Sequence, residues 1–183
     1  MTINLDEIAA LLAKAESDQR SLPPIEAWHP PLSGQIDMQI LADGRWIHEG
    51  GEIKRPKLVK LFSTILRREG DEYFLVTPVE KWQLSVEDAP FYAGVVERID
   101  DQGVSKLVFT TNVGSTVIAS TEHPLRVSVD ASTGEPHPYV LVRNNLEALI
   151  GRSAFYQLVD WAQEKNGELM ISSAGVEFVL GEL

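Results

Sequence analysis

Two stretches of this chain superimpose without a gap. Ile53, Arg55, Leu61, Gly70, Val79 and Glu80 fall on Ile150, Arg152, Leu158, Gly167, Val176 and Glu177, always 97 positions apart. The apolar stripe Leu58, Leu61, Phe62 and Ile65 likewise falls on Phe155, Leu158, Val159 and Ala162. Apolar residues at three- and four-residue spacing define one face of a helix, and a glycine commonly ends one. Any two amphipathic helices followed by a glycine and a hairpin can be aligned this way, but the identities exceed background usage and are structurally coherent. The register therefore predicts a helix-then-β-hairpin unit present twice. With further strands around each copy, this is an α+β fold of two small domains whose helices pack on antiparallel strands.

The flanking segments extend this plan. Asn4 is placed to cap a first helix carrying Ile8, Leu11, Leu12 and Ala15, with Glu7 completing a capping box. "SLPPIEAWHPPLSG" holds four prolines and reads as an extended connector pinned by Leu22, Ile25 and Trp28. Ile36, Met38 and Ile40 then alternate with Asp37, Gln39 and Leu41, and Asp43-Gly44 turns this strand into a hairpin. A helix is expected over Lys57–Glu69, with Pro56 at its favoured first position and Gly70 as its stop. Strands follow at Tyr73–Val76 and Val79–Val86. "EDAPFYAG" breaks the pattern, giving domains 1–87 and 88–183. Beyond it, strands are expected near Tyr92–Ile99, Ser105–Thr110, Thr116–Ala119, Leu125–Val129 and Tyr139–Val142. A helix over Ser153–Glu164, stopped at Asn166-Gly167, precedes strands Glu168–Ser172 and Val176–Leu180.

Charge and composition narrow the function classes. The 183 residues include no cysteine, which excludes thiolate metal sites, disulfide scaffolds and cysteine nucleophiles. A net charge of -11 repels polyanions, so nucleic acid is not expected as a partner. The local base cluster Lys54, Arg55, Lys57, Lys60, Arg67 and Arg68 still suits a small anion. The start of the chain has no basic leader before an apolar run, and no segment reaches the roughly 18 apolar residues of a membrane span. A cytoplasmic location without membrane contact is the expectation.

Few motifs survive chemical scrutiny. "HEGGE" departs from the H-E-x-x-H zinc motif at Glu52, and Gly50-Gly51 opposes the helix that motif needs. His29, His123 and His137 sit beside prolines without ligand spacing, so neither a metal nor a cofactor is expected. "GRSAF" lacks the G-x-S-x-G frame, and Ser153 reads as an N-cap. "NVGS" reads as a turn. More specific are Arg55 and Arg152, positive charges beside helix starts where the macrodipole opposes them. Either an anion is held between guanidinium and helix N–H groups, or each arginine pairs with a carboxylate such as Glu49, Glu52 or Glu147. Trp46 and His48 share one face of the hairpin arm. If Ile47 faces the core, they line an exposed surface with Arg55; if not, Trp46 is core.

The stretches "WHPP", "GRWIHEGGEIKRPKLVKLF" and "YFLVTPVEKW" resemble DUF1285, a bacterial family described as a domain of unknown function, and the likeness runs from Trp28 to the last hairpin. The resemblance implies a two-part α+β fold with repeated structural motifs and a regulatory role in signalling through a small molecule. It brings no catalytic residue; the matching positions are Trp46, His48, Glu49, Gly50, Arg55 and Pro56. The leading expectation is therefore a regulatory or signalling protein that binds a small molecule, an anion among the candidates, or a partner protein, without catalysis. Its ligand-binding residues would be Trp46, His48, Glu49, Arg55 and Arg152. The alternatives are a hydrolase-type enzyme using His48 with Glu49 or Glu52 as acid and base, and a homodimer with Trp46 or Trp82 in the interface.

Overall fold

Alternating apolar residues run through most of the chain after Ser33, and nearly every such run becomes a strand. The structure, a computed structural model, describes residues 22–183. After a 3-10 turn at Ile25–Ala27 come β1 (Gly34–Ile40), β2 (Trp46–His48), β3 (Gly51–Glu52), the helix α1 (Pro56–Thr64), β4 (Leu66–Glu69), β5 (Glu72–Val76) and β6 (Lys81–Val86). The chain continues with β7 (Phe91–Asp101), β8 (Val104–Thr111), β9 (Thr116–Ile118), β10 (Leu125–Val129), β11 (Pro136–Arg143) and β12 (Leu146–Ile150). It closes with α2 (Arg152–Trp161), β13 (Gln163–Lys165), β14 (Glu168–Ser173) and β15 (Val176–Glu182).

The strands form two six-stranded sheets and one of three. The first is ordered β3-β2-β1-β6-β5-β4 and the second β9-β8-β7-β12-β11-β10, so both follow one plan. Each consists of two antiparallel three-strand meanders joined along a single parallel pair, β1 with β6 and β7 with β12. The third sheet, β13-β14-β15, is held to the second by its turn. Ala174 N donates to the Ser105 carbonyl (2.8 Å), while the buried Ser173 hydroxyl accepts from Leu107 N (2.8 Å) and donates to the Ala119 carbonyl (2.7 Å). One apolar core runs through everything: Ile40, Trp46 and Leu66 of the first sheet, Phe91 and Phe109 of the second, and Leu158 of α2. Complete burial of such side chains contributes about 1.5–3 kcal/mol each, which favours this shared core.

This architecture corrects the α+β expectation. The protein is mostly β, and the two α-helices among the described residues span only 9 and 10 residues. The helix expected to Glu69 ends at Thr64, because Leu66–Glu69 pairs residue for residue with Glu72–Leu75, and Gly70 (φ 61°) turns a hairpin instead of stopping a helix. The helix expected to Glu164 likewise ends at Trp161, with Asn166 and Gly167 (φ 56° and 80°) forming the turn between β13 and β14. Nor is a helix-then-hairpin unit repeated as a building block: β4–β6 complete a six-stranded sheet, whereas β13–β15 form a sheet of their own. Leu146–Ile150, unassigned from sequence, is a strand at the heart of the second sheet. The cap of α2 is Gly151 rather than Ser153. The helix expected after Asn4 lies outside the described residues. No helix among the described residues is long and apolar enough to cross a membrane.

Candidate functional site

Tyr92 stands at the parallel seam of the second sheet, opposite Leu149. Asn112 fixes it there: its Oδ1 accepts from Tyr92 N (2.9 Å), its own N donates to the Tyr92 carbonyl (2.8 Å), and its Nδ2 donates to the Gly44 carbonyl (2.8 Å) in the β1–β2 turn. Two glycines leave room for this pair, Gly44 beside the Asn112 side chain and the base of Tyr92, and Gly151 beside the ring's hydroxyl end. A Cβ on Gly44 would come within 2.9 Å of Tyr92 Cβ, and one on Gly151 within 2.3 Å of the Tyr92 hydroxyl oxygen. Gly151 has an extended backbone (φ -62°, ψ 153°) that any residue adopts, so the requirement there is space alone.

Beside Tyr92 opens a cleft of about 440 Å³, between the start of β11, the end of β12 and the first turns of α2. Leu149, Pro136, Pro138 and Phe155 give it an apolar body, and Tyr92 and Tyr156 add aromatic faces with a polar tip. Its charged groups are Asp88, Glu135 and Arg152, with His137 beside them. Arg152, at the first position of α2, donates through Nη2 to Glu135 Oε1 (3.1 Å) while its side chain stays 74% exposed, leaving most of its donors open among the described residues. Among the described residues no side chain caps α2, so its positive dipole end also faces this region.

A polar network backs the cleft. The buried Tyr139 hydroxyl donates to Asp88 Oδ1 (2.7 Å), and burial together with that carboxylate pushes the phenol well above its usual range. Asp88 Oδ2 lies 4.0 Å from His137 Nδ1. Arg126 covers the Tyr139 ring at 4.3 Å and binds Glu147 through two 2.7 Å hydrogen bonds, which raise its pKa. Such bidentate pairs fix geometry as well as charge.

The residues singled out from sequence do not converge. Trp46 is 1% exposed and stacks on Phe62 (6.2 Å between centroids), so it belongs to the core, not to an exposed face, and it is not available for a dimer interface. One side of it also borders a second, more open cleft with Arg45, Glu52 and Pro56. Of the two facings open for the arm, the one with Trp46 in the core is found, with Ile47 partly buried and His48 exposed. His48 Nδ1 donates to the Asp37 carbonyl (2.9 Å), and Nε2 is 4.0 Å from the exposed Glu49 carboxylate. Arg55 is exposed at the start of α1, with no ion pair among the described residues. Arg152 has a carboxylate partner, but it is Glu135, since Glu147 serves Arg126. Among the described residues, no cluster of three His, Asp or Glu is placed to hold a metal.

Sequence reasoning missed Asp88, Tyr92, Asn112 and Gly151. They lie in stretches read as a boundary, a turn and a helix entrance, and no spacing links them. The one available signal was Gly151 directly before a helix, where Ser, Thr, Asp or Asn usually leads.

The family model described as Domain of unknown function (DUF1285), N-terminal domain, matches residues 23–89, and that described as Protein of unknown function (DUF1285), C-terminal domain, matches residues 90–180. Among solved structures, a DUF1285 family protein from Silicibacter pomeroyi DSS-3 is 45% identical, with 94% of this chain and 95% of that chain covered and a TM-score of 0.83. Another, from Shewanella baltica OS155, is 30% identical over 68% of this chain and 91% of that chain, with a TM-score of 0.53. No curated protein matches the chain.

Proposed function

Because this chain belongs to the DUF1285 family, whose descriptions state no activity, we propose a function from the cleft itself: the protein is a regulatory binding protein, and the cleft takes a small molecule with an anionic group. The observation that carries this reading is the meeting, in one 440 Å³ space, of an apolar body with the largely unengaged Arg152 at an uncapped helix start. Ligand sites typically combine such an apolar cavity with a few placed polar groups. The guanidinium supplies a paired donor fork for a carboxylate or phosphate, and the helix dipole adds to it. The Tyr92–Asn112–Gly44 chain of hydrogen bonds links the cleft wall to the β1–β2 hairpin, which gives occupancy a route to the other half of the molecule.

A thermal-shift screen of small carboxylates, amino acids and phosphates tests this. Arg152→Ala should weaken the binding of any hit about tenfold to a hundredfold, as expected for losing a charge-assisted hydrogen bond, while Arg55→Ala leaves it unchanged. A hit that ignores Arg152→Ala and is lost in Arg55→Ala would move the site to α1 and overturn the proposal.

A further inference from the structure

Resting on the reading that the cleft is the ligand site, we infer that its ligand is a zwitterion of the free amino-acid type, an amine held together with the anionic group. The formal charge of the lining points this way. Asp88 and Glu135 bring two carboxylates against the single guanidinium of Arg152, so an anion alone enters a cleft with an excess of its own sign. Glu135 already engages Arg152.

Asp88 is different. Its Oδ1 accepts from Tyr139, but among the described residues Oδ2 has only the His137 ring nitrogen near it, at 4.0 Å, beyond hydrogen-bond length. That oxygen has capacity for another donor, and an ammonium group carries three. Leu149, Pro136 and Pro138 leave an apolar volume for a ligand side chain. A zwitterion satisfies all three requirements: its anion goes to Arg152, its amine to Asp88, and its body to the apolar wall.

Calorimetric titration of the twenty free amino acids, followed by matched singly charged analogues of any binder, tests the inference. For phenylalanine these are 3-phenylpropanoate and phenethylamine; for leucine, 4-methylpentanoate and isopentylamine. We expect one or more amino acids to bind at least tenfold tighter than either analogue. Asp88→Asn, which keeps an acceptor for Tyr139, should erase the preference over the carboxylate, and Arg152→Ala the preference over the amine. If the carboxylate binds as tightly as the amino acid, or Asp88→Asn leaves that ratio unchanged in a protein of unaltered melting temperature, the zwitterion is wrong while the anion site stands. If no amino acid, carboxylate or phosphate binds, both fall together.

Discussion

Gly151 leaves room for the Tyr92 hydroxyl, and Gly44 for the Asn112 side chain that holds Tyr92, so a side chain at either position collides with the residues that shape the cleft wall. A methyl at Gly151 would meet the Tyr92 hydroxyl at 2.3 Å, so Gly151→Ala should destabilise the protein by about 1–3 kcal/mol in urea unfolding, the usual range for overpacking. In a Tyr92→Ala background the same change should cost almost nothing; additive costs in that double-mutant cycle would contradict the cradle. Tyr139 gives a second residue-scale expectation. Its folded pKa is raised by burial and then by Asp88, so the stability it contributes is complete below the unfolded value of about 10 and is lost as pH rises through the higher folded value. In tyrosinate absorbance at 295 nm, Tyr139→Phe should remove a tyrosine that ionises above the ordinary phenol range. None of this was legible in the sequence. Positions 44, 92, 112 and 151 meet only because the strands carrying them do.

Among the elements, β4 does more than pair with β5. Its buried Arg67 donates through Nη2 to the carbonyls of Ile25 and of Trp28 (2.8 Å), so one guanidinium anchors the proline-rich connector to the first sheet. Arg67→Ala should cost about 3 kcal/mol and expose Trp28 to limited chymotrypsin digestion; unchanged resistance would show that the prolines hold the connector unaided. Element boundaries were readable where the signal is local. The Asp43-Gly44 hairpin and the strand Leu125–Val129 emerge as read. The ends of both helices were not, since "TILRREG" and "AQEKNGE" contain good helix formers, and it is pairing with the next strand across the Gly70 and Asn166-Gly167 turns that decides otherwise. Leu146–Ile150 escaped for the same reason: Leu, Glu and Ala favour a helix, and burial between β7 and β11 overrides them.

At the scale of the molecule, a core that includes both Trp46 and Leu158 ties residues 22–87 to the rest. We therefore expect one unfolding transition, with tryptophan fluorescence and far-ultraviolet circular dichroism coinciding across a urea series; separated midpoints would mean that the halves yield independently. The sequence carried the broad antiparallel character of the chain, but its 97-residue register pointed to helix-led units. The fold is organised around its paired meanders, and their common strand order leaves no matching trace in local periodicity.

The parallel seams have a consequence in time. Antiparallel hairpins close within microseconds because their partners are adjacent, whereas joining β1 to β6 or β7 to β12 requires a long intervening segment to be brought back first. We therefore expect seam closure to be the late step of folding. Tyr92 and Leu149 face each other across one of these seams, so the cleft comes into being only with that step. A molecule bound there would recognise the finished protein and none of its partly folded forms.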